Sequence, residues 1–223
     1  MRIAAAALAV LLLGACCDRS TKTIQPHWLR AMKNYELVAS QLNRGVQAVA
    51  LEPVPLSRER CIKDLGIDGC IRDQRYGFWL DLTNESGKPI RLLWPEARYI
   101  DEKGGGHEVF AQERGALPDD RDNLHAPPPE VVAPAGRTRP TVVPIYKQYL
   151  VASGCKDLYP YSEPLIPTRL DDKNEQQMKA YVDDLAKRQV PVKLLLPIEI
   201  DGKRYDYTFT FVLKDRWADL PKE

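Results

Sequence analysis

The sequence predicts a mainly β protein, an antiparallel β-sandwich with one or two peripheral helices. Three observations lead there. Val190, Val192, Leu194, Leu196, Ile198 and Ile200 alternate up to Asp201-Gly202, and Tyr205, Tyr207, Phe209, Phe211 and Leu213 alternate after it. Period-two patterning marks half-buried strands, and Asp-Gly supplies the positive φ of a tight hairpin turn. Seven or eight short segments of this kind recur, with turn clusters every 8–12 residues, as in a sandwich. Finally, 18 of 223 residues are proline. Proline breaks helix interiors, so many long helices are disfavoured. With 44% hydrophobic residues the chain can build an ordinary core. A formal net charge of +1 carries no basic excess for nucleic acid, and three histidines limit metal and acid–base chemistry.

The chain opens with Met1-Arg2, followed by an unbroken apolar run of 11 residues, 3–13. As a helix this spans about 16 Å, half a bilayer core, which fits a signal peptide and not a membrane span. Gly14, Ala15 and Cys16 follow. Leu13-Gly14-Ala15-Cys16 resembles the lipobox of bacterial lipoproteins. The resemblance implies that residues 1–15 are a signal peptide that is cut away and that Cys16 is acylated. The acyl chains then anchor the protein to a membrane. In many Gram-negative lipoproteins an Asp directly after the acylated cysteine retains the protein in the inner membrane. Here Cys17 holds that place and Asp18 comes one later. The expected location is therefore the outer membrane, facing the periplasm, with the inner membrane as the alternative if Cys17 were the lipidated residue and Asp18 followed it. Residues 16–25 are polar and read as a tether reaching at most ~30 Å.

Residues 26–223 read as one domain. Pro26 can open a helix, and Trp28, Met32, Tyr35, Ala39 and Leu42 then recur at steps of three and four before Gly45. This predicts an N-terminal helix, although residues 35–39 also alternate as a strand would. Residues 46–51 are a short strand candidate ended by Pro53 and Pro55. Outside the cytoplasm disulfides are the default for Cys17, Cys61, Cys70 and Cys155. Cys61–Cys70 is the expected pair, because it closes a ten-residue loop holding Gly66 and Gly69. Loop closure of that length is worth roughly 2–3 kcal/mol. No histidine lies near for a zinc site, and the spacing of Asp64 and Asp68 does not fit a calcium loop.

Tyr76, Phe78, Leu80 and Leu82 alternate, residues 84–89 form a turn cluster, and residues 90–94 are the expected returning strand. Residues 98–101 and 108–111 pair around Lys103-Gly104-Gly105-Gly106. That glycine run lacks the Lys-Ser/Thr of a phosphate loop and reads as a hairpin tip. Residues 116–129 are polar and proline-rich, an exposed loop containing Asp119, Asp120 and Asp122. Strands at 131–132 and 141–146 flank the turn Pro134-Ala135-Gly136. Asp172-Lys173-Asn174-Glu175 fits a capping box and predicts a helix over about 172–189, with Met178, Tyr181, Val182 and Leu185 on one face. Pro191 and Pro197 leave gaps in the ladder of 190–200, which is therefore expected as an edge or bulged strand.

Three stretches carry a second resemblance. One is Leu80-Asp81-Leu82-Thr83-Asn84-Glu85-Ser86-Gly87-Lys88-Pro89-Ile90 with Trp94 beyond it. The others are Ile100-Asp101 through Gly106-His107-Glu108-Val109, and Leu196-Pro197-Ile198-Glu199-Ile200-Asp201-Gly202-Lys203 through Phe211. Over about residues 76–213 the chain resembles uncharacterised bacterial lipoproteins with immunoglobulin-like sandwich domains. The resemblance implies an immunoglobulin-like β-sandwich and no particular activity. The helix near 172–189 stands as an insertion before the last hairpin.

No Gly-x-Ser-x-Gly elbow and no His-Glu-x-x-His motif occurs. His27, His107 and His125 lie far apart, and His107 sits at a predicted hairpin tip as a surface residue. The chain is therefore expected to be no enzyme and to need no cofactor or metal. Two functions remain. One is a membrane-anchored periplasmic lipoprotein acting as a non-catalytic binding or scaffold module for a protein partner in the envelope. The alternative is an immunity lipoprotein neutralising a periplasm-targeted antibacterial effector. The candidate contact face is Asp119, Asp120 and Asp122 with Tyr146 and Tyr149, to which Tyr159 and Tyr161 could add.

Overall fold

The computed structural model describes residues 35–55, 57–74, 76–112, 126–145, 148–153, 157–162, 165–166 and 175–215. The chain begins with strands β1 (Tyr35–Arg44), β2 (Gln47–Val49) and β3 (Glu52–Pro53). Then come β4 (Arg60–Asp64), β5 (Ile67–Asp73), β6 (Phe78–Asn84) and β7 (Ile90–Leu92). A 3-10 turn (Trp94–Glu96) leads to β8 (Arg98–Ile100) and β9 (Gly106–Gln112). The chain continues through β10 (Glu130–Val132), β11 (Arg137–Thr138) and β12 (Thr141–Pro144). Strands β13 (Gln148–Ser153) and β14 (Asp157–Ser162) form a separate hairpin. Helix α1 (Glu175–Lys187) precedes the closing hairpin β15 (Val192–Ile200) and β16 (Lys203–Asp215).

Every pairing among these strands is antiparallel. The main sheet runs β2-β1-β16-β15-β8-β9-β12-β6-β5-β4-β3 and curls into a half-barrel. Strand β9 makes the corner. Its first three residues pair β8 on one wall, and Val109 to Gln112 pair β12 on the other. The two expected sheets are thus joined into one. The walls meet inside, where Phe78 of β6 packs on Phe211 of β16 with ring centroids 4.4 Å apart. Leu37, Leu42, Phe78, Leu80, Leu82, Leu194, Leu196, Phe209 and Phe211 fill the space between. Helix α1 covers one end with Met178, Val182 and Leu185. Tyr35 Oη donates to Asp183 at 2.8 Å, and Tyr181 Oη donates to Glu102 at 2.9 Å.

The closing hairpin follows the alternation. Asp201 and Gly202 both take positive φ, 52° and 72°, and Val192↔Phe211 through Ile200↔Lys203 stay in register. Strand β15 corrects the expectation of an edge, because it lies between β16 on one side and β7 and β8 on the other. Pro197 is tolerated there because it faces the break between β7 and β8. Its carbonyl accepts the Leu93 amide at 3.0 Å, just where the 3-10 turn interrupts the ladder.

The expected N-terminal helix is also corrected. Residues 35–44 are strand β1, hydrogen-bonded to β16 from Tyr35↔Asp215 to Arg44↔Tyr207. A bulge skips Ser40, with Ala39 opposite Phe211 and Gln41 opposite Thr210. The extra residue swaps faces, so Leu37 and Ala39 point inward before it and Leu42 after it. A four-then-three spacing on a bulged strand has the same signature as a helical stripe.

Strands β6 and β7 do not form the expected hairpin. Strand β6 pairs β5, β11 and β12, whereas β7 pairs β10 and β15 on the opposite wall. The segment 133–136 likewise passes from β10 on one wall to β11 on the other. Both flanking strands alternate correctly, but alternation names the buried face and not the partner.

Candidate functional site

The registers place the ends of the half-barrel unambiguously. Tyr35, Asp73, the 101–105 turn, α1 and Asp215 lie at one end, the base. Five turns lie at the other, the apex: 45–46, 65–66, 85–88, 133–136 and 201–202. From Tyr35 to Arg44, β1 runs nine steps from base to apex, about 30 Å at ~3.3 Å per residue.

A single buried side chain organises the apex. Asn84, with no exposed surface, ends β6. Its Nδ2 donates to the carbonyls of Lys88 at 2.7 Å and Val132 at 2.9 Å. Its Oδ1 accepts from the Ser86 amide at 3.0 Å and the Ser86 hydroxyl at 2.7 Å. Its backbone joins Gly136 O and the Ala135 amide. Asn84 therefore clamps two of the segments that cross between the walls, 85–88 and 133–136. The neighbouring 65–66 turn is tied in by the Glu85 amide on Gly66 O, and a Cβ at Gly66 would lie 2.4 Å from Ser86 Cα.

Three of these turns, 65–66, 85–88 and 201–202, border an open groove of about 630 Å³, lined among others by Leu65, Glu85, Lys88, Asp201, Lys203 and Tyr205. Lys88 pairs with Asp201 across two turns. The Tyr205 ring carries Lys203 Nζ at 5.2 Å and the Arg44 guanidinium at 5.7 Å from its centroid. Arg44 is itself held by Asp64 at 2.7 and 2.8 Å. Asp64 also accepts the Tyr207 hydroxyl at 2.9 Å. Burial, and then that carboxylate, push the Tyr207 phenol well above its ordinary range, so it stays a neutral donor. Leu65 takes φ 49° and is 40% exposed, and Val46 stands fully in solvent.

The expected disulfide is present. Cys61 and Cys70 face each other directly on β4 and β5, with Cα atoms 4.0 Å apart. Its loop is a β-hairpin turning at Leu65-Gly66. On the same outer face, Asp81 of β6 sits in register with Cys70 and holds Arg137, with Nε–Oδ1 at 2.6 Å, and Arg139 at 3.2 Å. The Arg137 hydrogen bond holds the Asp81 carboxyl below the usual range, against the effect of burial. His107 differs from the expected surface histidine. It is about one-quarter exposed, lies 2.8 Å from Asp101 and stacks over Tyr99. Burial raises the Asp101 carboxyl, but His107 and the amides of Gly105 and Lys103 outweigh it and hold it low. This arrangement fastens the base hairpin.

Cys16, Cys17, Asp119, Asp120, Asp122, Tyr146, Cys155, His27 and His125 lie outside the described residues, as do residues 1–34. Tyr149 lies in β13 opposite Tyr161. The apex therefore assembles residues that sequence reasoning did not group: Leu65, Asn84, Lys203 and Tyr205. The only signal was local, a turn cluster at 84–89 and an Asp-Gly turn at 201–202. Among the described residues no group of three His, Cys, Asp or Glu side chains could hold a metal ion. No family model matches this chain, and no curated protein or solved structure matches it either.

Proposed function

We propose that the protein is a lipoprotein anchored through acylated Cys16, facing the periplasm from the outer membrane, and acting as a non-catalytic binding or scaffold module. The observation that carries this reading is the polarity of the domain. Strand β1, the first described element after Leu13-Gly14-Ala15-Cys16, starts at the base, and the five apex turns lie about 30 Å away. An anchored chain entering there presents its loop end to partners and leaves its helix-capped end toward the lipid. Loops on a rigid scaffold are where recognition concentrates. The Cys61–Cys70 disulfide suits an oxidising compartment. The two facing walls are read as an immunoglobulin-like sandwich whose sheets remain joined through β9.

The test pairs two measurements in cells. Palmitate labelling should mark the wild type and vanish in Cys16→Ala, which should also remain unprocessed. A photo-crosslinking amino acid at Val46 should capture an envelope protein, while one at Lys179 on α1 should not. Labelling that persists in Cys16→Ala, or the absence of any crosslink at either position, would refute the proposal. A resident envelope protein captured at Val46 supports the scaffold role, and a delivered toxin captured there supports an immunity role.

A further inference from the structure

We infer that the apex groove is a docking site for an extended segment of a protein partner, carrying an apolar side chain between a basic and an acidic one. The inference rests on the binding-module reading and specifies its contact chemistry.

Two independent observations carry it. The first is Leu65. The turn Asp64-Leu65-Gly66-Ile67 needs positive φ at both central positions, which Asn-Gly or Asp-Gly meets at least cost. Leucine there is strained by its Cβ, yet φ is 49° at Leu65 and 77° at Gly66. The same side chain is 40% exposed at the groove, so it gains little from burial. Folding alone disfavours leucine on both counts. An observed outlier of this kind points to a contact made outside the fold. Val46, on the neighbouring turn tied in by Arg44 and Asp64, adds a second exposed apolar group.

The second observation is charge. Most ionic groups at this end are matched: Lys88 with Asp201, Lys63 with Asp68, and Arg204 with Asp206 and Glu96. Among the described residues, Glu85 and Lys203 line the groove on different turns and make no salt bridge within 4 Å: Glu85 lies in the field of Lys63, and Lys203 sits over the Tyr205 ring. The apolar surface of Leu65, Ile200 and Tyr205 completes the lining. A segment laying an apolar side chain on that surface can place a cation at Glu85 and an anion at Lys203.

The test uses the full-length lipoprotein in detergent and a fluorescein-labelled peptide, Arg-Leu-Leu-Asp, with its reversed sequence and the uncharged Gln-Leu-Leu-Asn as comparisons. Saturable anisotropy changes are expected for at least one charged peptide. The uncharged peptide should bind about tenfold more weakly. Lys203→Glu and Glu85→Lys should each cost about tenfold, with Lys179→Glu on the base unchanged. Leu65→Asn separates binding from folding, because it should raise the melting temperature while weakening the peptide about tenfold or more. Equal binding of charged and uncharged peptides, no saturable binding, or unchanged affinity in Leu65→Asn would each overturn the inference. Crosslinks that form at Lys179 while the peptides fail would reject the groove and leave a binding module with another face. Crosslinks at neither position would reject both readings.

Discussion

Replacing Asn84 with alanine should loosen the apex and lower the stability of the whole domain. The side chain is fully buried and makes four hydrogen bonds, to Lys88 O, Val132 O, and the amide and hydroxyl of Ser86. A typical bond contributes about 0.5–1.5 kcal/mol net, and a buried group left without a partner costs about 1–3 kcal/mol. The partners on the 85–88 turn are partly exposed, so water can replace part of what they lose. Val132 O lies in a buried contact and has no such substitute. The expected loss is therefore about 3 kcal/mol, or a melting temperature lower by roughly 6–12 °C for a chain of this size. Chemical denaturation measures the first and calorimetry the second. Hydrogen exchange should quicken at residues 85–88 and 133–136 together, because one side chain holds both crossings. Asn84→Asp keeps the shape but turns a carboxylate oxygen toward two carbonyls, and should be no better than alanine at neutral pH. A loss below about 0.5 kcal/mol, or faster exchange in one crossing alone, would refute the clamp.

Phe209→Ala should cost about 3–5 kcal/mol in denaturant melts, since the ring is 2% exposed between Leu42 and Leu194 on flanking strands. Removing the disulfide by Cys61→Ala with Cys70→Ala should cost at most about 2–3 kcal/mol, because the hairpin register already brings the two residues face to face. Asp81 governs part of the acid response. Its folded pKa is depressed, first by the Arg137 hydrogen bond, so its contribution is present above the ordinary carboxylate pKa and lost as pH falls through the lower folded value. Melting temperatures taken below about pH 4 should accordingly fall less steeply in Asp81→Asn than in the wild type.

Antiparallel β character, the 201–202 turn, the Cys61–Cys70 pair and the apolar face of α1 were all legible in the sequence. Each depends on neighbours in the chain: an alternation, a dipeptide with positive φ, a short cysteine spacing, a three-and-four stripe. Local backbone geometry carries that information without reference to the rest of the fold. The partner of each strand was not legible. Residues 78–84 and 90–92 alternate as two arms of a hairpin would, yet they lie on opposite walls, because Asn84 diverts the chain at the apex. Strand β1 read as a helix because a bulge at Ser40 imposes an odd step on a period-two pattern. Pro197 suggested an edge, and only the break between β7 and β8 explains a proline in a central strand. The apex groove is the extreme case, since Leu65, Glu85, Lys203 and Tyr205 come from three separate turns. Periodicity determines which face of a segment is buried. Which segments share that burial depends on long-range packing between the two walls, and this is decided only when the sheet closes around Phe78 and Phe211.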